Sequence, residues 1–173
     1  MAKPQASSNV THELDAPPWR RFESTLMATS RSIRRAYDLR LKEIGLNLSE
    51  ACLLAYVVEH GPLTQTQVAE RIGMGRAPAG TIVDKLSTES FLVRLPDPND
   101  RRVWLLSATP AGVELAARIS DVDHVLREDL RVGLSRAERQ QLATTLVALQ
   151  SNLQRVIESY TRDTEPGGLS LDG

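Results

Sequence analysis

Two helix-start signatures stand close together in this chain and leave room only for short helices after each. Asn47 lies three residues before Glu50, and Thr64 three before Gln67. In each pair the first side chain accepts from the backbone N–H three positions on, while the longer side chain reaches back. The first signature opens a helix through ACLLAYVVEH that stops before Gly61-Pro62. The second opens one over about 65–72 that Gly73 ends. GMGRAPAGTIVDKLSTES follows as another helix, with Ile82, Val83 and Leu86 on its apolar face and Arg76, Thr81 and Lys85 off it. Pro78 falls in the first turn, where a missing N–H costs little.

What comes next changes period. FLVRL (91–95) and VWLLSA (103–108) read as short strands, joined by the turn-rich LPDPNDRR. Pro96 and Pro98 suit an exposed ribbon. Thr109-Pro110 then starts a long helix to about Leu130, and Ser135 with Glu138 starts another. In this last helix Leu142, Leu146, Leu149, Leu153, Val156 and Tyr160 alternate spacings of four and three, the seam of a helix that packs on another helix. At the other end, Trp19, Phe22 and Leu26, then Ile33, Tyr37 and Leu41, predict a helix from 19 to about 44, closed by Gly45. The order predicts a mostly α (α+β) protein. A winged helix-turn-helix lobe spans 47–108. A first helix (19–46) and two C-terminal helices (109–162) flank it, with a polar arm at 1–18 and a tail at 163–173.

Aromatic residues are 4% of the 173, so the core must be aliphatic. Net charge is −1, so any nucleic-acid binding has to rest on local charge. Residues 64–102 hold six cations (Arg71, Arg76, Lys85, Arg94, Arg101, Arg102) against five carboxylates (Glu70, Asp84, Glu89, Asp97, Asp100), a surplus of one. The single Cys52 allows no internal disulfide, and the N-terminus lacks a signal peptide's apolar stretch. No apolar run suits a bilayer. A cytoplasmic protein is expected. His12, His60 and His124 have no ligand spacing, and no phosphate loop or nucleophile elbow is present. Neither a metal, a cofactor nor an enzyme is expected.

From Trp19 to Tyr160 the chain resembles the MarR-type (multiple antibiotic resistance regulator) winged-helix transcription regulators. GPLTQTQVAERIGM looks like the family's third helix and GRAPAGTIVDKL like its recognition helix. DPNDRRVWLLSATPAG looks like its wing, with the Asp-x-Arg element carried by Asp100 and Arg102. Two positions depart from the pattern: Ser90 replaces a usual glycine between recognition helix and wing, and Ala108-Thr109 replaces a usual Leu-Thr. The resemblance implies a homodimer interlocked through the terminal helices and an inserted Arg102. It also implies a small aromatic or phenolic effector, and repression as the commoner mode.

An arginine on a thin ribbon can reach the minor groove, where narrow A·T-rich stretches concentrate negative potential. Asp100 then braces the guanidinium or the turn, and Arg101 meets phosphate. The recognition helix enters the major groove, with Arg76 reaching guanine, small Ala79 and Gly80 permitting close approach, Thr81 on the outer face and Lys85 meeting phosphate. Thr64, Gln65 and Thr66 open the third helix, where free N–H groups suit a phosphate. The plain alternatives are a solvated turn, an ordinary amphipathic helix and ordinary capping. Two other functions stand beside the double-stranded DNA reading: a winged-helix protein-interaction module, and a redox sensor using Cys52. Cys52 is expected to be buried in its apolar run and inert. Tyr37 and Tyr56 are candidates to line an effector pocket, without assignment.

Overall fold

The computed structural model describes Pro17, Trp19 and residues 21–164. The expected arm and tail lie, apart from these residues, outside that range. Six helices and three short strands follow in the order α1 (Phe22–Leu41), α2 (Leu48–His60), β1 (Leu63–Thr64), α3 (Gln65–Arg71), α4 (Arg76–Thr88), β2 (Leu92–Pro96), β3 (Trp104–Ala108), α5 (Pro110–Arg131) and α6 (Arg136–Thr164). The residues up to Leu126 form one compact unit and those from Arg127 a second. None of the helices among the described residues is long and apolar enough to cross a membrane.

Both early capping boxes form as read. Asn47 Oδ1 accepts from Glu50 N at 3.0 Å while Glu50 Oε2 accepts from Asn47 N at 3.0 Å. Thr64 and Gln67 exchange the same pair of bonds. Helix ends share a device too. After α1 a 3-10 turn (Lys42–Ile44) runs into Gly45 at φ 82°, and Leu46 N donates back to Leu41 O. Gly73 (φ 65°) ends α3 in the same way, with Met74 N donating to Ala69 O. Ser90 (φ 63°) ends α4, with Phe91 N donating to Leu86 O. Three helices thus stop on a left-handed residue that recovers a terminal carbonyl, and the third uses serine.

The core of the first unit is aliphatic, as the composition requires. Leu41, Leu53, Leu54, Val57, Val68, Val83, Leu86 and Leu106 are all but completely buried. Fully burying one such side chain contributes roughly 1.5–3 kcal/mol. α1 is tied to this unit by polar contacts: Tyr37 Oη donates to Asp123 Oδ1 at 2.7 Å, and Leu48 N donates to Asp38 Oδ1 at 2.7 Å.

Three sequence expectations need correction. Helix α1 starts at Phe22, and Trp19 precedes it. The hairpin is not alone: β1 pairs antiparallel with β3 (Leu63 opposite Leu106), giving the order β1-β3-β2. Finally, α6 runs on to Thr164, into the expected tail.

The second unit comprises the end of α5, a turn through Gly133 (φ 79°) and α6. Ser135 and Glu138 form the third capping box, and Ser135's hydrogen bonds hold the Glu138 carboxyl below its usual range. None of the described α6 side chains is buried.

Candidate nucleic-acid interface

The wing is built from its backbone outward. β2 and β3 pair antiparallel from Leu92 opposite Ala108 to Pro96 opposite Trp104. Beyond them the tip is closed by its own acidic residues. Asp97 N donates to Val103 O at 2.9 Å, and the Asp97 carboxylate accepts from Asn99 N at 2.7 Å. Asp100 Oδ1 accepts from Arg102 N at 3.0 Å, and Asp100 O accepts from Val103 N. Of its two expected roles, then, Asp100 braces the turn. Arg101 and Arg102 are exposed, and their guanidinium groups make no ion pair among the described residues. Two arginines are therefore held out on a ribbon whose backbone is tied down.

The recognition helix presents a narrower set than its sequence suggests. Arg76 opens α4 and is exposed, and Thr81 lies on the exposed face with its hydroxyl donating to Ala77 O at 3.4 Å. Ala79 is 0% exposed and belongs to the core, so the expectation that it faces DNA is corrected. It stands four residues before Val83, on the inward stripe. Gly80 serves a neighbour within the protein: a Cβ there would lie 3.2 Å from Gln65 Nε2. Gln65 is thereby set against α4, while Thr64 and Thr66 are half-buried beside it. Lys85 has a partner that its own helix does not show. Its Nζ lies 2.9 Å from Glu50 Oε2 and 3.4 Å from Gly45 O.

Sequence reasoning also missed the link between α4 and the wing, Arg94 Nη2 to Asp84 Oδ1 at 2.6 Å. A second link is Thr109. Its hydroxyl donates to Ser90 O at 2.7 Å and accepts from Gly112 N at 3.0 Å, joining the end of α4 to the start of α5. These pairs join residues on different elements, so no helical spacing announces them.

Cys52 is exposed, contrary to expectation, although its neighbours Leu53 and Leu54 are buried. Partial desolvation pushes its thiol above the usual value, outweighing the nearby Arg34 charge. The thiolate, the reactive form, is therefore disfavoured. No group of three or more metal-ligating side chains occurs among the described residues. A groove of about 570 Å³ lies between α2 and α3, lined by Tyr56, His60, Leu63, Gln67, Glu70 and Arg71. The Tyr56 and His60 rings stack there at 4.3 Å. Tyr37, the other tyrosine considered, uses its hydroxyl on Asp123.

Known proteins share this arrangement. The pattern of the MarR family matches residues 44–103, from the α1–α2 corner to the wing. The chain is 33% identical over 106 residues to the uncharacterized HTH-type transcriptional regulator YkoM of Bacillus subtilis (strain 168), covering 61% of this chain and 68% of that one. It is 31% identical over 103 residues to a putative transcriptional regulatory protein for the hcr operon of Thauera aromatica, covering 60% of each. Thus the chain spans well under two thirds of that relative. The S. aureus MepR–DNA complex superposes with a TM-score of 0.71 at 19% identity, covering 76% of this chain and 97% of that one. The chain belongs to the MarR family of winged helix-turn-helix transcriptional regulators.

Proposed function

We propose that this regulator represses transcription from a pseudo-palindromic operator, which it binds as a homodimer in the cytoplasm. A small aromatic or phenolic effector releases it. The observation that carries the reading is the wing tip, where Arg101 and Arg102 stand exposed on a turn fixed by Asp97 and Asp100. A tied backbone lowers the entropy lost when the guanidinium groups dock. Arg102 inserts in the minor groove and Arg101 meets phosphate. Arg76 and Thr81 face the major groove. The near-neutral local charge makes binding moderate, and the phosphate contacts make it salt-dependent.

Dimerisation is supported by apolar side chains that stay exposed among the described residues. Phe22, Met27 and Leu39 on α1 are exposed, as are Leu142, Leu153, Val156 and Tyr160 on α6. Two subunits related by a two-fold axis place their recognition helices about 10 base pairs apart. For the effector, the stacked Tyr56 and His60 rings offer an aromatic wall within the α2–α3 groove.

A second reading, a protein-interaction module, rests on exposed Val93, Leu95 and Trp104 along the wing's stem. The cationic tip favours DNA. Fluorescence anisotropy separates the two. The protein is titrated onto fragments tiling its own promoter region and onto a random duplex, at two salt concentrations, beside Arg102→Ala. One fragment is expected to bind preferentially, and Arg102→Ala to cost about 1–3 kcal/mol. Equal weak binding to every duplex would favour the interaction module. A panel of benzoates and phenols added to the bound complex tests release.

A further inference from the structure

We infer that Lys85 is a positioning residue: paired with Glu50, it forms a strut that fixes the recognition helix against the α1–α2 corner. The inference rests on the DNA-reading function proposed above.

Glu50 is the one charged residue in the core among the described residues, 7% exposed. One of its carboxylate oxygens accepts both from Asn47 N and from the Lys85 ammonium. The same ammonium donates to Gly45 O. Lys85 thus grips both sides of the corner, the carbonyl that ends α1's turn and the capping box that starts α2. The corner is itself secured to α1, because Leu48 N donates to Asp38 Oδ1.

A buried carboxylate tolerates few arrangements. Taken from its cation it becomes an uncompensated charge, and such pairs define geometry more than they add stability. Lys85 lies in the second half of α4, whereas Arg76 opens the helix. A fixed point near the far end sets the angle at which the N-terminal end meets a groove. It also spends the ammonium inside the protein. A phosphate contact there would have to compete with Glu50.

The test uses the full chain and a preferred duplex selected by the wild type from a random-sequence library, with a scrambled duplex for comparison. Lys85→Met, Glu50→Gln, the double variant and Lys85→Arg are assayed over a salt series. The strut predicts that Lys85→Met and Glu50→Gln each reduce the preference for the selected duplex by about tenfold. It also predicts that the double variant is no worse than either and that the salt slope stays at the wild-type value. Lys85→Arg keeps charge and reach and restores most of the preference. A merely structural role would lower unfolding midpoints and leave the preference of the folded protein intact, which would overturn the inference. So would a phosphate contact, seen as a salt slope reduced by about one in Lys85→Met with Glu50→Gln unaffected. Should a single variant not fold, the double variant, with no orphaned charge, gives the same reading. A wild type that selects no duplex would instead refute the DNA-reading function.

Discussion

The lobe from Asn47 to Ala108 and the helix α6 are built from similar aliphatic side chains and treat them in opposite ways. In the lobe, Leu53, Leu54, Val68, Val83, Leu86 and Leu106 vanish into one core. Along α6, Leu142, Leu153, Val156 and Ile157 stay about half exposed or more. Apolar content therefore does not distinguish the regions, but burial does. The lobe buries its apolar side chains in a core shared with Leu41, Leu46 and Leu115, and α6 carries a seam with a packing helix's period that stays largely exposed among the described residues. The first belongs to a compact unit with its own core, and the second fits the association proposed above.

The largest effect expected is in the lobe. Leu53→Ala should cost about 2–5 kcal/mol, read as a drop in unfolding midpoint at every protein concentration. The matching substitution on α6, Leu153→Ala, should weaken association by about 2 kcal/mol per copy. Its midpoint should rise with protein concentration, and the gap to the wild type should close on dilution, where both proteins are monomers. A Leu153→Ala effect independent of concentration would break the contrast. Gly112→Ala probes the lobe's seam with α5, where an added Cβ would lie 2.1 Å from Phe91 O. Overpacking against backbone should destabilise by about 3 kcal/mol in urea unfolding. The smallest effect is a gain. Ser90 holds φ 63° where Gly45 and Gly73 end their helices without penalty, so Ser90→Gly should stabilise by about 1 kcal/mol. No gain would mean that the serine side chain contributes something that the backbone angle does not reveal.

Local signals were readable and distant ones were not. Asn47 with Glu50, Thr64 with Gln67 and Ser135 with Glu138 are pairs three residues apart, so the sequence shows both partners at once. Ala79 was misread although its signal was available: it lies four before Val83 and seven before Leu86, on their face of α4. Cys52 was misread because an apolar run was taken for a buried one, while helical geometry turns it away from Leu53 and Leu54. β1 escaped because a two-residue strand has no period to detect. Lys85 with Glu50 and Arg94 with Asp84 were out of reach, since only the folded chain brings those partners together. The wing turn that carries Arg101 and Arg102 was readable because a charged, proline-broken turn between two apolar runs is itself a local signal.

The strand order β1-β3-β2 leaves β2 on the rim of its sheet. A ribbon that reaches outward cannot be covered, and a bare rim is a template on which another copy's strand can add. Pro96 has no N–H to offer there, and Arg94 puts a charge on the same short strand. Two residues of the ribbon's outer strand, Arg94 and Pro96, thus also oppose its growth into aggregates.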